Sequence, residues 1–186
     1  MKNKYNKIKR YPLTSYQRDI FIEQFLYEDK TLYNIGGTAA INGKIHVHVF
    51  QNAINQVIRK HDALRIRMCH IDGEPYQYFA DPFIYTLPYY DFSREKDHHR
   101  HFTLWIKSHI AEKFKLYDNN LFEFALLKYD DRKYYWFQKY HHLITDGWGC
   151  SLIARDVAGF YNALIHNEPL KAEPSYSYIN FIEENR

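Results

Sequence analysis

Seven consecutive residues, His141-His142-Leu143-Ile144-Thr145-Asp146-Gly147, gather chemically capable side chains at tight spacing beside a glycine. Imidazole is the side chain best suited to moving a proton near neutral pH. Neighbouring residues on a strand face opposite sides, so His141 and His142 have different jobs, one in the core and one in a cleft. Asp146 lies four residues past His142, across a turn. It either orients the imidazole or holds the loop by pairing with a cation elsewhere. Gly147 permits close backbone approach or a positive φ. A His-His pair can also bind metal, but that usually needs further ligands at short spacing or a cysteine pair. Here Asp146 is the only close candidate, and the chain has no Cys-x-x-Cys. It also lacks the Gly-x-Ser-x-Gly of a serine hydrolase.

The flanking residues place this run. Residues 133–140 read as an aromatic strand, and residues 148–166 as an amphipathic helix. The motif therefore closes a strand and precedes a helix N-terminus, where free backbone N–H groups can meet a ligand. Upstream, residues 121–128 form a strand that turns at Asp130-Asp131-Arg132 and pairs back as a hairpin over 133–142. Thr14 or Ser15 caps a helix to about residue 27, with Ile20, Phe21, Phe25 and Leu26 on one stripe. A strand over 33–41, interrupted at Gly36-Gly37, precedes an Asn42-Gly43 turn. A helix over 47–61 follows, then a strand over 64–68 and a hairpin turn over 71–75. Short strands are expected at 76–79 and 83–87. A helix capped by Asp91 or Ser93 runs to about Phe114. Its His98, His99 and His101 read as a solvated face. The last helix buries Leu152, Ile153, Val157, Phe160, Tyr161 and Leu164, and Asp156 is either solvent-facing or a partner of the motif. Strands and hairpins alternating with helices fit one α/β sandwich.

A chain of 186 residues can bury roughly 70% of its unfolded surface, enough for one domain with its own core. A composition 46% hydrophobic excludes an intrinsically disordered chain. The net charge of +3 is mild, and its one basic cluster (Lys2, Lys4, Lys7, Lys9, Arg10) reads as a solvated leader rather than a nucleic-acid arm. Cys69 and Cys150 are far apart and without motif context, which suggests structural thiols in a reducing compartment. No secretory signal or run of membrane-spanning length is present, so the cytoplasm is expected and a membrane partner is not.

His-His-x-x-x-Asp-Gly resembles the signature of the condensation domains of nonribosomal peptide synthetases, part of the chloramphenicol-acetyltransferase-like, His-x-x-x-Asp acyltransferase superfamily. Tyr140, Trp148 and Ser151 look like the family's extended motif. Residues 12–18, with Gln17 and Phe21 at matching places, are similar to its first core motif. Residues 60–68, Lys-His-Asp-Ala-Leu-Arg-Ile-Arg-Met, resemble its second, and residues 176–182 loosely resemble its fourth, with Asn180 in place of the usual Asp.

The resemblance implies a chloramphenicol-acetyltransferase-like lobe with a mixed sheet flanked by helices. Residues 1–10 would be a basic leader, 11–168 the N-terminal lobe of a condensation domain, and 169–186 the start of a connection to a C-terminal lobe. The first motif lies so near Met1 that the donor is expected on a separate carrier protein or as an acyl-thioester. The implied activity is amide formation between a carrier-bound acyl or peptidyl thioester and a carrier-bound amine. His142 would be the catalytic histidine, supported by His141, Asp146 and Gly147, with an Arg65–Asp146 salt bridge bracing the motif. No cofactor is bound permanently; substrates arrive on phosphopantetheine arms. Implied partners are donor and acceptor peptidyl carriers, the C-terminal lobe and a neighbouring adenylation domain, with no nucleic acid. An epimerisation domain, a stand-alone acyl-CoA-dependent acyltransferase and a catalytically incomplete docking lobe remain alternatives.

Overall fold

A computed structural model describes residues 8–170 and 177–184. Lys2, Lys4 and Lys7 of the basic leader, and Tyr176 of the fourth motif, lie outside the described residues.

The described residues form two sheets. The four-stranded sheet has the order β2 (Asn34–Asn42), β7 (Lys133–His141), β6 (Phe122–Asp130), β5 (Tyr89–Asp91). Its β5 runs parallel to β6 and the other pairs are antiparallel, so the sheet is mixed as expected. The second sheet is antiparallel, with β4 (Glu74–Phe79) between β1 (Arg10–Pro12) and β3 (Ile66–Ile71).

Helices cover both faces of the larger sheet. On one face, Phe50, Ile54 and Val57 of α2 (Val47–Lys60) and Ile153 and Val157 of α4 (Gly147–Ile165) share a core with Phe124, Trp136 and Tyr140. On the other, Phe102 and Trp105 of α3 (His98–Ile110) pack on Ala125, Leu127 and Phe137. Fully burying an aliphatic or phenyl side chain contributes about 1.5–3 kcal/mol before chain entropy is subtracted.

Helix α1 (Ser15–Leu26) starts at a capping box in which Thr14 and Gln17 satisfy each other's backbone N–H. Its buried face is Gln17, Ile20, Phe21 and Gln24, whereas Phe25 and Leu26 are exposed. The expected apolar stripe is thus displaced by two glutamines that have buried partners.

Five local expectations are corrected. Strand β2 is not interrupted at Gly36-Gly37 but pairs with β7 throughout. Residues 62–65 form a 3-10 turn, so the strand expected from Leu64 starts at Ile66. Residues 83–87 join no sheet, because side chains of α2 take their hydrogen bonds: Tyr85 N–H donates to Asn55 Oδ1 and Leu87 N–H to Gln51 Oε1. Asp91 accepts from Ser93 N–H in a turn rather than capping α3, which begins later at His98. The α3 helix ends at Ile110, where Asn34 Nδ2 takes the Ile110 carbonyl and Lys139 Nζ the His109 carbonyl.

Candidate active site

Strand β7 delivers the two histidines and α4 begins five residues after His142, so the motif loop spans one strand end and one helix start. His141 is 1% exposed. Leu143 N–H donates to its Nδ1 (3.2 Å), and its Nε2 faces Gln24 Oε1 (3.3 Å). Because Nδ1 accepts, the ring proton belongs on Nε2 and the imidazole is neutral. Burial, with a smaller contribution from His142, pushes it down to about 4.

That depression makes stability pH-dependent. Between pH 6.5 and about 4 the unfolded chain takes up a proton that folded His141 refuses, so stability falls as pH drops through this window. The loss is on the order of 3 kcal/mol at full extent. Denaturant unfolding at pH 7 and pH 4.5 should show a smaller difference in His141→Gln than in the native chain. Equal differences in both would remove His141 as the cause.

His142 directly follows β7 and is half-buried. Its N–H donates to Tyr33 O (2.9 Å). Its ring stands edge-on to Tyr16 (6.0 Å between centroids) and Tyr33 (6.5 Å), and its Nδ1 is buried without a partner. The Tyr33 hydroxyl donates to the Glu23 carboxylate, which together with burial pushes it up to about 12. Aromatic edges, rather than a carboxylate, thus set the orientation of His142.

Asp146 is exposed and caps α4, its Oδ1 accepting from Gly149 N–H (2.8 Å). Such a cap is worth about 1 kcal/mol. The expected Arg65–Asp146 pair is absent. Arg65 instead donates to the carbonyls of Ile58 and Arg59 (2.8 Å each) and of Ala80 (3.2 Å). The physical reason is that the last carbonyls of α2 lack intrahelical partners and attract a cation. Asp156, one of two buried carboxylates among the described residues (the other is Asp62), is paired with Lys60 Nζ (2.9 Å) and His61 Nε2 (2.7 Å). Burial alone would raise the Asp156 carboxyl, but these two hydrogen bonds hold it below its usual range. Cations of the second motif therefore do brace α4, but ten residues beyond the aspartate expected.

Gly147 is the first residue of α4 and does not take a positive φ. A Cβ built there would meet nothing within 4 Å. Its N–H is one of the first of the helix and has no intrahelical partner. Gly147 borders a groove of ≈ 400 Å³ between the sheet and the first turns of α4. Ile35, Gly37, Gln138 and Tyr140 face Cys150, Ser151 and Ala154 across it, and no charged residue lines it. His142 is not among its walls. Burial raises the Cys150 thiol, which therefore stays protonated.

Among the described residues no group of three or more His, Cys, Asp or Glu side chains is placed to hold a metal ion. Within the histidine-rich start of α3, His101 pairs with Glu95 and His98 stands edge-on to Tyr129. Tyr16, Tyr33, Gln24 and the groove went unread in the sequence. The readable sign was polar: Gln17 and Gln24, seven residues apart, share the inward stripe of α1 with Ile20 and Phe21.

Fold and site together define an α/β lobe organised around a histidine motif at a strand end. The condensation-domain family model matches residues 7–186, and the chain belongs to that family. It is 31% identical over 176 residues to a dimodular nonribosomal peptide synthase of Bacillus subtilis (strain 168), covering 95% of this chain and 7% of that protein. An isonitrile lipopeptide synthase of Streptomyces coeruleorubidus is 32% identical over 162 residues, covering 87% and 11%. Among solved structures, the starter condensation domain of rhizomide synthetase superposes with a TM-score of 0.89 at 31% identity, covering 95% of this chain and 45% of that one. The chain thus spans less than half of that solved domain and a small part of the curated relatives. Among the described residues no helix is long and apolar enough to cross a membrane.

Proposed function

We propose that this chain is the N-terminal, motif-bearing lobe of a condensation domain that forms an amide between an acyl thioester and an amine, both presented on phosphopantetheine arms of carrier proteins. The observation that carries the reading is the complete His141–Gly147 motif, set between a strand end and the capped start of α4. The amine nitrogen attacks the thioester carbonyl, the carbon–nitrogen bond forms, and the carbon–sulfur bond breaks. The amine's proton leaves with the thiol. Holding two tethered reactants together supplies a large part of such an acceleration.

His142 acts at the nitrogen left to the substrate, Nε2. Its Nδ1 is buried without a partner. The tautomer with the lone pair on Nδ1 and the proton on Nε2 leaves no donor unmet. That favours a hydrogen-bonding, positioning role over proton abstraction, which needs the opposite tautomer. The N–H of Gly147, among the first of α4, is the candidate oxyanion donor. The solved relatives are more than twice as long, so a C-terminal lobe completes the site, and an adenylation domain loads the amine onto its carrier.

The uncharged groove beside Gly147 takes the apolar part of the acyl donor. Gly37 faces it opposite Gln138, and a Cβ at Gly37 would meet nothing within 4 Å. Packing therefore does not require the missing side chain there, whereas a ligand can. A complex of the rhizomide starter domain contains C8-CoA and Leu-SNAC, an acyl donor and an aminoacyl acceptor of this chemistry. The test is a mass-spectrometric amide assay with carrier-bound donors of two to twelve carbons, on this chain alone and with a C-terminal lobe supplied. Gly37→Leu should melt like the native chain, keep short donors and lose at least tenfold on donors of eight carbons or more. Equal loss at every length would remove the groove from donor binding. Absence of amide from any donor with both lobes present would remove the condensation reading.

A further inference from the structure

We infer that Gln17 is a positioning residue for His142, acting through a buried amide pair with Gln77 that grips the motif loop at the Leu143 carbonyl. The inference rests on the condensation reading for its catalytic consequence, and on geometry alone for its structural one.

Gln17 is 2% exposed and Gln77 is fully buried. Their side-chain amides bond reciprocally: Gln17 Nε2 donates to Gln77 Oε1 (3.0 Å), and Gln77 Nε2 to Gln17 Oε1 (2.7 Å). The second proton of Gln17 Nε2 goes to Leu143 O (2.9 Å), and that of Gln77 Nε2 to Pro12 O (2.9 Å). Gln17 Oε1 also accepts from Thr14 N–H (3.1 Å). All four amide protons are used, so the network is satisfied and has one low-energy arrangement. A stability gain does not explain it, since two well-packed apolar residues would serve as well there. What the network does is join three elements: the small sheet through Gln77 and Pro12, the start of α1, and the motif loop.

The grip falls where it matters. Leu143 follows His142 directly, and its N–H is already held by His141 Nδ1. With Gln17 on the carbonyl, both polar groups of Leu143 are fixed. Tyr16, beside Gln17, presents its ring to the His142 imidazole. A shift at the start of α1 therefore moves the backbone after His142 and the ring beside it together. Substrate positioning is sensitive to displacements of about 1 Å.

Two substitutions separate positioning from mere packing. Gln77→Leu and Gln17→Leu both break the amide pair, but only Gln17→Leu releases Leu143 O. Both should lower the melting temperature by similar amounts. Only Gln17→Leu should broaden or double the His142 ring signal in proton–carbon NMR spectra of the chain, assigned with His142→Ala. In the amide assay with both lobes, Gln17→Leu should lose at least tenfold in kcat relative to Gln77→Leu, with KM for the amine within threefold. Matching His142 signals in the two variants would overturn the inference whatever the assay gives. Altered signals with no amide formed by the native protein would instead count against the condensation reading. If Gln17→Leu does not fold, Gln17→Met/Gln77→Met, which leaves no amide of the pair unmatched, is compared with Gln77→Met in the same way. In the native chain, Gln17 side-chain amide protons should exchange no faster than the Leu143 backbone amide, and much faster exchange would also overturn the grip.

Discussion

Replacing His142 by alanine should lower the amide-forming rate by at least about 10²-fold, the cost of misplacing a reactant by about 1 Å. The protein should stay folded. The ring is half-buried, its contacts are edges of Tyr16 and Tyr33, and its Nδ1 has no partner to orphan. A cost near 1 kcal/mol corresponds to roughly 2–4 °C in melting temperature for a chain of this size. The His142 N–H to Tyr33 O bond is backbone to backbone and survives the change. His141→Ala should show the reverse balance, because it removes the acceptor of Leu143 N–H and the partner of Gln24 from the core. Rates and melting curves for the two variants, measured with both lobes present, decide this. Comparable rates for His142→Ala and native protein would take His142 out of the chemistry.

The largest effect on stability is expected at Gly36. Its φ is +143°, and a Cβ built there falls 2.0 Å from the carbonyl oxygen of Gln138. The obstacle is backbone of the paired strand, so no side-chain rotation relieves it. A strained φ and a forced separation of strands together cost about 3–5 kcal/mol, or roughly 10 °C in melting temperature. The strand forced away is β7, where Asn34 pairs with His141 and Ile35 with Tyr140. Gly36→Ala should therefore disturb the motif as well as the fold, whereas Gly37→Ala, whose Cβ meets open space, should melt like the native chain. Melting Gly36→Ala within 2 °C of the native chain would mean the strands do not approach so closely. The Gly36-Gly37 pair looks in sequence like a break in a strand. In the fold one glycine permits strand pairing and the other leaves room in the groove.

The sequence by itself determined most of the elements and the place of the motif, though not β5 or the loop over 83–87. The aromatic run over 134–140, the Asp130-Asp131-Arg132 turn and the period of the last helix are local signals, and they put His141 at a strand end and Gly147 at a helix start. Alternation along the strand separated the two histidines into one core and one cleft position, and the structure shows that His141 is the buried one. Partners across elements were decided only by the tertiary structure. Arg65 was expected on Asp146, yet nearer carbonyls at the end of α2 take it, while Lys60 and His61 reach Asp156. Asp146 itself closes a local contact with Gly149. Gln17 and Gln77, sixty positions apart, meet only because β4 runs beside β1 in the small sheet. The physical reason is common to all of these. A side chain's period fixes the direction it faces, but which unmet carbonyl, carboxylate or amide lies within 3 Å depends on how separate elements pack.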